Sequence, residues 1–178
     1  TYGEYLFDAM IEAIDAAQER IFFETFIWKN DPIGRAFKRA FIRAANRGVA
    51  VYVVFDEFAN LVVPRPFFRF PPSIHVKHHP LLVGGWGFWH PRNSGRNHRK
   101  LMVIDGEVGF LGSHNVIDSA YGSASNARIG RRWKDLSIKV RGDIVSQLEA
   151  VFATDWYSET GELLDAPVPA PSRKPVGQ

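Results

Sequence analysis

Apolar and polar positions follow two periods along this chain. Between residues 3 and 18, Leu6, Met10, Ile14 and Ala17 recur at helical spacing, which predicts an opening helix. RIFFETFIW (20 to 28) is crowded with aromatic and β-branched residues and reads as a buried strand. Asp31-Pro32 then marks a helix start, with Asp as N-cap and Pro in the first helical position. Ile33, Phe37, Ala40, Phe41 and Ala44 carry that helix forward, and Gly48 stops it. VAVYVVFDE (49 to 57) is a second buried strand. Strand, helix and strand in this order form a βαβ unit, which implies parallel pairing and a right-handed crossover.

The pattern is less regular from 59 to 97, where Pro64, Pro66, Pro71 and Pro72 interrupt it around one short strand, SIHVKHH. LLVGGWGFWHP follows, a glycine-rich loop carrying Trp86, Phe88 and Trp89. HRKLMVID and EVGFLGS are two strands joined at Asp105-Gly106, a strong hairpin signal. DLSIKV (135 to 140) alternates as a strand, and IVSQLEAVFATDWY (144 to 157) is an amphipathic helix. The expected organisation is one domain over 1–162 and a Pro-rich tail or linker over 163–178. His75-Val76-Lys77 imitates His98-Arg99-Lys100, but no Asp or Gly-Ser follows at the matching spacing, so we read no internal repeat.

Composition narrows the chemistry. A chain of 178 residues with 46% hydrophobic content can bury a real core. No stretch approaches the roughly 18 apolar residues of a membrane span, and TYGEYLFDAM reads as helix rather than secretory signal. The absence of cysteine excludes disulfides, thiol catalysis and the usual structural zinc ligands. The net charge is only +3, but it is unevenly spread. Arg92, Arg96, Arg99 and Lys100 crowd one stretch, and Arg128, Arg131, Arg132 and Lys134 another. Such clusters suit a phosphate-bearing substrate or an anionic membrane surface, and equally a solvated basic face.

The informative stretch is NHRKLMVIDGEVGFLGSHN, residues 97 to 115. On a strand of period two, His98 and Lys100 share a face with Met102 and Ile104, while Arg99, Leu101 and Val103 take the other. Ser113 and Asn115 are also two apart. A hairpin can therefore gather an imidazole, an ammonium, a hydroxyl and an amide around one point. A neutral imidazole is nucleophilic, and lysine and asparagine donate to the non-bridging oxygens on which charge accumulates. The set is a poor one for a hard metal, so metal-free and cofactor-free phosphodiester chemistry is expected. Taken singly, each residue has a structural explanation: a hydrogen-bonded histidine, a surface lysine, a turn.

Taken together, His98, Lys100, Asp105, Gly112, Ser113 and Asn115 reproduce the spacing His-X-Lys-X4-Asp-X6-Gly-Ser-X-Asn. That spacing resembles the signature of the phospholipase D superfamily. DPIGRAF, GVAVYVVFD, WKDLSIKVRG and FATDWYSETGE extend the resemblance to the first half of bacterial cardiolipin-synthase-type members, over about residues 3 to 162. The resemblance implies an α/β/α sandwich with a mixed, largely parallel β-sheet. It also implies phosphodiester hydrolysis or phosphatidyl transfer on phospholipids through a phosphohistidine, at a cytoplasmic, membrane-associated location. On that pattern His98 is nucleophile or general acid/base, Lys100 and Asn115 bind phosphate, and Ser113 and Arg96 support the phosphate site. Asp105 and Gly112 are structural, and Asp135, with Glu24 as second candidate, orients the histidine.

The family pattern needs two such motifs, and this chain carries one. His114 follows Ser113 and should point away, so it is no substitute. A dimer partner or further chain of a longer enzyme is expected to supply the other half. Two other readings compete: a homodimeric single-motif phosphodiesterase or nuclease, disfavoured by the aromatic loop, and a non-catalytic interaction domain that keeps the fold.

Overall fold

The computed structural model describes residues 3–80, 98–118 and 135–164. Its elements are α1 (Gly3–Ala16), β1 (Arg20–Thr25), α2 (Pro32–Asn46), β2 (Ala50–Asp56), β3 (Ile74–His79), β4 (Leu101–Ile104), β5 (Val108–Gly112), β6 (Ser137–Arg141) and α3 (Ile144–Thr160), with two 3-10 turns between β2 and β3. The six strands lie in the order β3-β2-β1-β4-β5-β6. Pairing is parallel for β1–β2 and β2–β3 and antiparallel for β1–β4, β4–β5 and β5–β6. Among the described residues the sheet is thus mixed as expected but not largely parallel: two pairings, β1–β2 and β2–β3, are parallel and three are antiparallel. A tight turn joins β4 to β5, whereas the antiparallel pairs β1–β4 and β5–β6 bring together strands far apart in the chain.

Strand alternation sorts the core into two layers. Ile21, Phe23, Val51, Val53, Met102, Ile104 and Phe110 pack with α1 and α2 through Phe7, Ile14, Phe37 and Phe41. Phe22, Val54, Leu101 and Val103 pack on the opposite face with Val145, Phe152 and Trp156 of α3. This is the α/β/α sandwich, and Met102/Ile104 and Leu101/Val103 separate onto opposite faces as their parity requires. Glu149 of α3 is fully buried, and the Arg20 guanidinium satisfies it at 3.0 Å.

Two strand boundaries need adjustment. β1 stops at Thr25 rather than at residue 28. The Asn60 side chain takes the Phe26 carbonyl (2.9 Å) and the Trp28 N–H (2.8 Å), drawing residues 26–28 out of the ladder. β4 begins at Leu101, so His98 and Lys100 precede the strand; the β1–β4 ladder ends at Glu24↔Leu101. α2 ends at Asn46 with Arg47 as its C-cap, and Gly48 follows with φ 93°, a left-handed turn out of the helix. The Asp31 cap is as expected, with its carboxylate accepting the Gly34 N–H at 2.8 Å. The Trp-rich loop, the cluster at 128–134 and the tail from 165 lie outside the described residues.

Candidate active site

The ends of six elements meet at one edge of the sheet: the C-terminal ends of β1, β2, β3 and β5 and the N-terminal ends of β4 and β6. In open α/β sheets ligands bind outside the carboxyl ends of parallel strands. His98, Lys100, Gly112, Ser113 and Asn115 lie at this edge, and Asp105 lies in the turn at the opposite end.

The β4–β5 turn fixes their register. Asp105 and Gly106 both adopt left-handed backbone (φ 53° and 67°), which Asp tolerates and Gly accepts without cost. The Asp105 carboxylate reaches away from the motif edge, accepting the backbone N–H groups of Gln18 (2.8 Å), Glu19 (2.8 Å) and Arg20 (2.9 Å). It ties the hairpin to the α1–β1 connection. Gly112 meets β6 so closely that a Cβ there would fall 2.1 Å from Ser137 Oγ and 2.4 Å from the Leu136 carbonyl oxygen.

At the edge itself, Lys100 Nζ lies 3.0 Å from His98 Nδ1 and 2.7 Å from the His98 carbonyl. The Phe26 ring backs both, with its centroid 4.5 Å from the imidazole and 5.3 Å from the ammonium. Burial pushes the Lys100 amine down to about 8, and the nearby Asp135 carboxylate opposes that shift. The lysine stem borders a narrow cavity of about 20 Å³ shared with Phe7, Thr25, Gly112, His114 and Ser137. At neutral pH the ammonium can only donate, so His98 Nδ1 accepts and the imidazole proton sits on Nε2.

Ser113 and Asn115 reach this pair through shared neighbours. Ser113 Oγ donates to Asp135 Oδ1 at 2.6 Å and accepts the Leu136 N–H at 3.0 Å. Asp135, the carboxylate that also acts on Lys100, is the nearer acceptor for its single proton, with the Leu136 carbonyl at 3.3 Å. Asn115 Oδ1 accepts the Ile27 N–H at 3.1 Å, next to Phe26, and its two amide N–H donors remain for another acceptor. Backbone bonds Lys29–Val116 and Val116–Ile27, both 3.0 Å, lash this segment to the continuation of β1.

His114 Nδ1 lies 2.8 Å from Ser137 Oγ, its ring meets Phe7 edge-on, burial lowers its pKa, and it lines the cavity that Lys100 borders. Glu24 is buried on the α3 face of β1, where its charge acts on Arg99. Arg99 in turn bonds Asp155 of α3, so this arginine clamps the backbone between His98 and Lys100 to the helix behind the sheet. Arg96 lies outside the described residues. Sequence reasoning missed Phe26, which it took for strand core, and the buried His79–Glu159 pair (2.8 Å), whose partners are 80 residues apart.

Residues 10–156 match the sequence model of the family described as "Cardiolipin synthase, PLD-like domain". The chain belongs to this family. It is 34% identical over 161 residues to cardiolipin synthase A of Pseudomonas putida (strain W619), covering 90% of this chain and 33% of that protein. With cardiolipin synthase A of Pseudomonas aeruginosa (strain LESB58) the identity is 32% over 161 residues, covering 90% and 32%. The chain thus spans about a third of the length of the curated relatives it matches. Among solved structures, NucT from Helicobacter pylori aligns with a TM-score of 0.61 at 18% identity, over 88% of this chain and 90% of that one. The phospholipase D family member Nuc from Salmonella typhimurium aligns at 0.56 and 16% identity, over 85% and 87%. These two likenesses establish the fold.

Proposed function

We propose that the chain carries one half of a phosphodiester-transfer site that acts on phospholipids by hydrolysis or phosphatidyl transfer. A second His-Lys set, from another copy or from further chain of a longer protein, completes it. The observation that carries this reading is the His98–Lys100 contact at an edge shared with Asn115 and Ser113–Asp135.

With Nδ1 accepting from Lys100, His98 stands as a proton donor through Nε2. An arriving phosphodiester draws the ammonium onto its non-bridging oxygens, where the Asn115 amide donors join it. Release of Nδ1 lets the imidazole change tautomer, and Nε2 then becomes a nucleophile. Of the two histidines of the completed site, one attacks phosphorus and forms a phosphohistidine as the P–O bond to the leaving alcohol breaks. The other gives that alcohol its proton. It then takes a proton from water or an acceptor alcohol, whose oxygen attacks phosphorus and frees the first imidazole. Negative charge on the phosphoryl oxygens grows in each step, and fixed donors stabilise it there. Ser113 contributes by holding Asp135 beside Lys100 rather than by donating to phosphate.

The test is light scattering beside a phosphodiesterase assay on one sample, for the unaltered chain and His98→Ala. An active dimer silenced by His98→Ala supports completion by self-pairing. An inactive monomer that gains activity when mixed with the remaining two thirds of a relative supports completion by a longer chain. Activity that survives His98→Ala refutes the reading, and turnover of nucleic acid but not of phospholipid refutes its substrate.

A further inference from the structure

The loop that follows β2 exposes apolar side chains beside the candidate site. Phe58 is 53% exposed, Leu61 56% and Val62 83%, within five consecutive positions. Exposed apolar side chains gathered in so short a run are the kind of feature that marks a contact surface. The loop is held stiffly. Asp56 Oδ1 accepts the Ala59 N–H at 2.8 Å, and the buried Asn60 side chain bonds the carbonyls of Phe26 (2.9 Å) and Asp56 (2.7 Å) and the Trp28 N–H (2.8 Å). Through Phe26 it connects to the His98 and Lys100 contacts, and through Ile27 to Asn115. The apolar run therefore stands on the same edge as the motif, and Asn60 anchors it to Phe26 and Trp28, on either side of the Ile27 whose N–H Asn115 accepts.

Its border is cationic. Arg65 has a side chain 94% exposed and only a loose contact with Glu57 at 3.8 Å. Arg69 is exposed in the same segment, and Lys38 of α2 bonds the carbonyls of Phe67 and Arg69, adding a third cation. Glu57 faces this border and lies between Arg65 and His78. Apolar tips with a basic fringe match an anionic lipid surface, with side chains entering the acyl boundary and arginines meeting phosphates.

We propose that Phe58, Leu61 and Val62 form a membrane-contact wedge, with Arg65 and Arg69 recognising anionic headgroups. The wedge sets the His98–Lys100 edge against the surface that holds the substrate. This rests on the phospholipid reading for its purpose, but lipid contact is measured without turnover, so the two can fail separately.

The experiment is co-flotation of the chain with phosphatidylcholine vesicles, with and without phosphatidylglycerol. The variants are Phe58→Ser/Leu61→Ser/Val62→Ser and Arg65→Glu/Arg69→Glu. All five side chains are exposed, and a thermal melt verifies that each variant stays folded. The unaltered chain is expected to float with the anionic vesicles, less so as salt rises. The serine variant should bind roughly tenfold more weakly or worse, from the apolar area withdrawn. The glutamate variant should lose the preference for anionic vesicles. An unaltered chain that stays with neither vesicle overturns the proposal. So does a serine variant that floats normally, or one whose only change is weaker self-association in light scattering, which would make the face a protein contact.

Discussion

Replacing Asp105 separates architecture from chemistry inside the motif. Its carboxylate accepts three backbone N–H groups from residues 85 to 87 positions away. Two of these bonds are solvent-exposed and one is partly buried, so each net contribution belongs near the low end, about 0.5–1 kcal/mol. Asp105→Ala removes all three acceptors and places alanine at φ 53°, a left-handed position that costs a further ~1 kcal/mol or more. The expected loss is about 3 kcal/mol, or roughly 6–12 °C in Tm for a domain of this size. Asp105→Asn tolerates the backbone and keeps Oδ1 for Glu19 and Arg20, but turns an amide donor toward the Gln18 N–H; the expected loss is about 1 kcal/mol. Circular-dichroism melts read these shifts, and tungstate titration below the melting range reads the phosphate site. Both variants should bind tungstate as the unaltered chain does while folded. If Asp105→Asn melts normally yet no longer binds the anion, the aspartate serves the site and the argument is wrong.

Gly112→Ala should drive β6 off β5, because two of the atoms its Cβ would meet are backbone, the Leu136 oxygen at 2.4 Å and Ser137 Cα at 2.5 Å. A loss of about 1–3 kcal/mol together with weakened tungstate binding is expected, and an unchanged melt would contradict the packing. Because burial holds the Lys100 amine at about 8, its cation is present below that pH and disappears as pH rises through it, well before an ordinary lysine would deprotonate. Tungstate affinity should fall over that window and stay flat in Lys100→Arg, whose guanidinium remains charged; a flat profile in the unaltered chain would refute the assignment.

Much of the fold was legible because its signals are local. Asp31-Pro32, the run VAVYVVFDE and the Asp105-Gly106 turn each carry their own conformational instruction, and the helix, buried strand and hairpin appear where they stand. Parity along HRKLMVID assigned Met102 and Leu101 to opposite faces, because a strand's period is two whatever it packs against. The motif's spacing likewise identified the residues that could do phosphodiester chemistry.

Tertiary structure decided the partnerships among them. Alternation suggested that His98, Lys100, Ser113 and Asn115 act as a direct cluster, yet His98 and Lys100 precede β4, and the Ser113 hydroxyl has Asp135 as its nearer acceptor. Phe26, anonymous within an aromatic run, became the platform for the imidazole because Asn60 pulls its backbone out of the ladder. Arg99 meets Asp155 across 56 positions, and Asp105 caps a connection that lies 85 residues earlier. The sequence determined which groups the chain owns and the local backbone each one sits on, since propensity and periodicity act over a few residues. Which groups face one another was set only when the sheet brought distant segments together, since hydrogen bonding and desolvation depend on distance in space.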